Sequence, residues 1–114
     1  MSYPMNRESY LLGPWTITSN LNTTIRIPYV QYSGGMYFYT GMTAGDVNWY
    51  VAEELSGGPA PVQARDSSGE IIKTTLPTGS GAAEIPSALF GARFLVPVMA
   101  TANNTCTIKV MVKT

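Results

Sequence analysis

The chain has 114 residues, enough for one domain with its own core. Only 12% are charged, about half the usual share, and the net charge is zero, so the composition argues against nucleic acid as a partner. There is no histidine and a single cysteine, which excludes Ser-His and Cys-His catalysis, an intrachain disulfide and a cysteine-based zinc site.

In chain order, residues 1–13, "MSYPMNRESYLLG", show no alternation and read as an extended N-terminal arm ahead of a β-sandwich over 14–114. They lack the charged start and apolar run of a secretory signal, and an export route is not expected. No run approaches the 18 apolar residues of a membrane span, so no membrane partner is expected. The arm carries Tyr3, Met5, Tyr10, Leu11 and Leu12, too apolar for a free tail; it is expected to pack on its own sheet or on a neighbour, and these residues are the candidate partner anchors.

Strands are expected near 14–19, 23–30, 35–40, 46–54, 61–65, 70–76, 92–99 and 105–113. The last is the clearest: Cys106, Ile108, Val110 and Val112 alternate with Thr105, Thr107, Lys109, Met111 and Lys113. In 46–54, Val47, Trp49 and Val51 share one face. Residues 92–99 read as a buried strand, with Pro97 marking an edge or bulge. Turns are expected at "SGG" 33–35, "TAGD" 43–46, "SGGP" 56–59, "DSSG" 66–69 and "PTGSG" 77–81, with "ANN" 102–104 closing a last hairpin. "PSALFG" at 86–91 is the one helical hint. Strands every 8–12 residues predict an all-β fold, a jelly-roll-like sandwich of about eight antiparallel strands. Trp49, Phe94, Leu95, Ile108 and Val110 are expected to face its core.

No catalytic set emerges. Glu53 and Glu54 are adjacent and would point to opposite faces of a strand. Asp66 in "DSSG" fits a turn cap better than a calcium loop, which needs a longer series of oxygen ligands. Asp46 stands at a strand entrance. No cofactor motif is present; "NTT" at 22–24 and "NNT" at 103–105 read as chance matches to a glycosylation pattern. The reading is non-enzymatic.

The distinctive stretch is "YVQYSGGMYFYTGM", residues 29–42, with five aromatics around a Gly-Gly pair and no charge between Arg26 and Asp46. Tyr37 and Tyr39 share one strand face; Met36 and Phe38 share the other. Three uses fit the tyrosines: a sugar platform, a protein interface or two-sided burial in the core. The polar escorts of a sugar site are few (Gln31, Ser33, Thr40), whereas Met36, Met42 and low charge suit an interface. Tyr29, Tyr32, Tyr37 and Tyr39 are therefore expected to line a partner-binding face.

From Gly41 onward, "DVNWYVAEELSGG", "PVQARDSSGEIIKTTL", "GAAEIPSALFGARFLVPVMA" and "TANNTCTIKVMVKT" follow an order that resembles a group of small β-sandwich proteins of tailed bacteriophages. The resemblance covers 41–114, with "IPSALFGARFL" at 85–95 its most specific part and Arg93 at the group's arginine position; "SGG" at 56–58 departs from its acidic turn. It implies a virion component, best defined as a capsid decoration or cement protein on the capsid exterior. Such a protein is assembled in the host bacterial cytoplasm and bridges neighbouring copies of the major capsid protein as a homo-oligomer, a trimer before a dimer. A tail, baseplate or fibre protein, or a carbohydrate-binding decoration, is the alternative.

Overall fold

Alternation in the last strand organises the fold. Cys106, Ile108, Val110 and Val112 are buried, while Lys109 and Lys113 are exposed. A strand with one apolar face needs a sheet packed against that face. The computed structural model describes residues 9–20, 25–29, 32, 34–102 and 104–113. It contains β1 (Ser9–Ile17), β2 (Ile27–Pro28), β3 (Gly34–Met42), β4 (Gly45–Ala52), β5 (Val62–Gln63), β6 (Lys73–Leu76), β7 (Gly79–Glu84), β8 (Phe94–Met99) and β9 (Cys106–Lys113), with a short 3-10 helix at Ser87–Leu89.

Two antiparallel sheets pack face to face. The first has the order β1-β9-β3-β7; the second runs β2-β8-β4, with β5 and β6 both on the far side of β4. β5 and β6 are halves of one edge strand. Tyr50 pairs with Gln63 and Asn48 with Lys73. Between them, Trp49 accepts from the Ala64 N–H at 2.9 Å and donates to the Ile72 carbonyl at 3.0 Å. Residues 64–72 leave the strand as a small hairpin, closed by the Arg65–Ile71 bridge. With β5 and β6 counted as one, successive strands alternate between the sheets except at the β4–β5/β6 hairpin, the connectivity of an eight-stranded jelly roll.

Several local expectations hold. Asp66 Oδ1 accepts from the Ser68 N–H at 2.9 Å, the Ser68 hydroxyl at 2.7 Å and the Glu70 N–H at 3.0 Å, so "DSSG" is a capped turn. Pro86 precedes the 3-10 helix, and Gly91 follows it at φ 96°. β8 is buried from Leu95 to Met99. Pro97 sits where the outer ladder has ended: β2 reaches only Leu95, and the Met99 N–H, two residues on and pointing the same way, goes to the Thr18 carbonyl at 2.9 Å.

Four expectations are corrected. Residues 9–13 are not arm: β1 begins at Ser9 and pairs with β9, because Tyr10 and Leu12 stand opposite Val112 and Val110 and extend the apolar face. Residues 102–104 do not close a hairpin, because β8 and β9 lie in different sheets. "GSGAAE", read in part as a turn, is strand β7. Its Gly81 lies opposite Tyr39, and a Cβ there would come within 2.6 Å of the Tyr39 hydroxyl oxygen, so only glycine leaves room for the ring. Phe94 faces away from the inter-sheet core and packs against Ala52, Val96 and Val98 on the outside of the second sheet. Of the expected strand over 23–30, the described residues contain only β2.

The core between the sheets holds Trp49, Tyr37, Met42, Leu95, Met99, Ile108 and Val110, all at most 2% exposed. The Trp49 Nε1–H donates to the Thr74 hydroxyl at 3.0 Å, so the largest core side chain leaves no buried donor unsatisfied. Each fully buried apolar side chain contributes about 1.5–3 kcal/mol.

Candidate functional site

The two faces of β3 settle the aromatic question. Tyr37 and Tyr39 point between the sheets at 1% and 5% exposure. The Tyr37 ring lies 5.6 Å from Trp49, edge-on at 67°, and 6.3 Å from Tyr39. Tyr29 and Tyr32 are buried in the same core. Burial pushes the Tyr37 phenol above its ordinary value, opposed in part by the Thr74 hydroxyl; burial, then the Glu84 charge, does the same at Tyr29.

The expectation that Tyr29, Tyr32, Tyr37 and Tyr39 form a partner-binding face is therefore corrected. All four are buried in the core between the sheets, and groups covered within the monomer offer no area to a partner or a sugar. Of the arm residues, Tyr3 and Met5 lie outside the described residues. Tyr10 is partly exposed, with its ring 6.1 Å from that of Tyr32. Leu12 packs against the core, while Leu11 points outward and is 58% exposed.

The residues left open are those the tyrosines drew attention from. Met36 and Phe38, on the outward face of β3, are 45% and 40% exposed. The ladders place Leu11 beside Met111, Met111 beside Met36, and Ala82 beside Phe38. An apolar stripe thus crosses all four strands of the first sheet. It contains two shallow grooves that share Met111. One, of about 460 Å³, runs between Gly34, Gly35, Met36, Glu84, Met111 and Lys113. The other, of about 330 Å³, runs between Leu11, Phe38, Thr40, Thr107, Lys109 and Met111. Gly35 lets β9 approach closely: a Cβ there would run into the Met111 carbonyl oxygen. Lys109, Lys113 and Glu84 form a sparse charged rim. Apolar patches of this kind, edged by polar residues, mark contact surfaces.

The titratable groups are placed for structure. Asp46 accepts from the Thr75 hydroxyl at 2.6 Å and lies 3.5 Å from the Lys73 ammonium, which hold its carboxyl below the ordinary range. The Ser68 hydroxyl and then the Glu70 N–H do the same for Asp66. Burial pushes the Cys106 thiol up to about 11, so it stays protonated at neutral pH and behaves as a small core side chain. Among the described residues, no three His, Cys, Asp or Glu side chains converge as a metal site, and no helix is long and apolar enough to cross a membrane.

The specific motif 85–95 is a structural corner. Ile85, Leu89 and Leu95 plug the core, and the 3-10 turn with Gly91 reverses the chain between them. No protein-family model, no curated protein and no solved structure matches this chain.

Proposed function

We propose that this chain is a non-enzymatic structural protein of a bacteriophage virion, a decoration or cement protein that seats on the major capsid protein at the capsid exterior. The observation that carries the reading is the open apolar stripe of Leu11, Met36, Phe38 and Met111 on a sheet face with little charge. Its Met and Phe content is that of an interface centre, and its rim is polar. The resemblance of the sequence at 85–95 to phage sandwich proteins points to the same class.

A protein that binds only the assembled lattice stabilises that lattice by mass action. Its surface must be broad and preformed, and a sheet face held by ladders on both sides of β3 and β9 meets that requirement.

The test is quantitative: count copies of this chain in purified particles and measure its binding to shells. A copy number that follows the shell lattice, with binding lost in the Met36→Ser/Phe38→Ser double variant, supports the proposal. A copy number fixed to one vertex or tail structure favours the tail or fibre alternative, and absence from particles rules out both.

A further inference from the structure

A sheet edge exposes unpaired backbone groups that template another strand, and folds usually blunt such edges with prolines, bulges, charges or interruptions. Among the described residues the two sheets have four edges, and three of them are blunted. β1 is broken by a register shift between Leu12 and Trp15, with Pro14 inside it. β2 is two residues long and includes Pro28. The β5/β6 edge is interrupted by the hairpin of residues 64–72.

β7 is the least protected edge, with a single charge, Glu84, at its end. Its sequence, "GSGAAE", contains no proline and no cation, and its residues are mostly exposed. Its one ladder irregularity lies at the Gly79 end, where the register shifts between Tyr39 and Met42 of β3. The Ile85 N–H donates to the Gly35 carbonyl at 3.0 Å, so the odd-numbered residues serve β3. Ser80, Ala82 and Glu84 then turn both backbone groups to the open side.

We propose that β7 pairs with the β7 of a second copy, antiparallel about a two-fold axis at Ala82. In this register Ala82 meets the partner's Ala82, and Ser80 meets the partner's Glu84. No like charges stand opposite each other, and the small side chains let the two sheets join without obstruction. Because Ala82 neighbours Phe38, the two apolar stripes merge into one surface across an eight-stranded sheet. The pairing is isologous and closes as a dimer. A trimer through this edge would need β7 to meet a different strand, and the other edge of the same sheet is the one broken at Pro14. The inference rests on the strand edge and stands apart from the virion reading.

The test is sedimentation equilibrium of the full chain with thermal melting of each variant. Ala82→Pro removes an outward N–H that β3 does not use, and Ala82→Lys places a cation at the axis. The wild type should be a dimer whose melting rises with protein concentration, and both variants folded monomers whose melting does not; if Ala82→Pro misfolds, Ala82→Lys decides. Under mild oxidation, Ala82→Cys should give a disulfide-linked dimer, since hydrogen-bonded pairs place Cα atoms about 5.5 Å apart, within disulfide reach. Ser80→Cys, far from its own copy, should not. Cys106 is buried and gives no background. A monomeric or trimeric wild type, or a dimer indifferent to Ala82→Lys, overturns the proposal.

Discussion

The two sheets share one core but treat their outer faces in opposite ways. On the second sheet, the outward Ala52, Val96 and Val98 are buried within the chain, Val96 at 0% exposure, with Tyr50 and Phe94 packed beside them. On the first sheet, the outward Leu11, Met36 and Phe38 are open. Both faces carry apolar residues at outward positions, and only one is closed in the monomer. The second sheet's outward residues therefore contribute to stability, while those of the first contribute little and remain free for contact.

The largest effect lies in the core that both sheets share. Trp49→Ala should cost about 3–5 kcal/mol, leaving a cavity beside Tyr37 and removing the donor to the Thr74 hydroxyl. Chemical denaturation measures this, and a near-wild-type midpoint would mean that Trp49 does not hold the sheets together. The outer faces are compared directly by Val96→Ala and Met36→Ser. The first should lose about 1.5–3 kcal/mol, the second no more than about 0.5 kcal/mol. Equal losses would erase the distinction between the faces.

Gly81→Ala sharpens the inner side of β7. A methyl group forced against the Tyr39 hydroxyl should cost about 1–3 kcal/mol, and adding Tyr39→Phe should recover part of it in a double-mutant cycle. The smallest effect is in acid. The Asp66 carboxyl titrates lower in the folded chain than its ordinary 3.8, so its contribution is present above that pH and is lost as pH falls through the lower folded value. Asp66→Asn should flatten this part of the stability profile below pH 3.8 and leave the neutral-pH fold unchanged.

Much of the fold was legible in local chemistry. Alternation in 105–113 specified β9 and its buried face, the apolar run of 92–99 specified β8, and "DSSG" specified a turn through the short reach of Asp66. β7 was not legible, since glycine, serine and alanine have weak strand preference; that segment is a strand because β3 offers a ladder and Tyr39 needs the space over Gly81. The union of β5 and β6 into one edge strand was also hidden, because a nine-residue excursion separates them in sequence and the two halves meet only against the backbone of β4 at Trp49 and through the Ile72–Ala64 hydrogen bond.

The candidate site marks the boundary between the two kinds of information. The sequence by itself determined that Tyr37 and Tyr39 share one side of β3 and Met36 and Phe38 the other, because successive side chains in a strand point to opposite faces. It did not determine which side is inside. Both pairs are large and apolar enough to be buried, so local chemistry leaves them nearly equivalent. Only the tertiary structure decided, by bringing Trp49 of the second sheet against the tyrosine side and leaving the methionine and phenylalanine side without a covering layer.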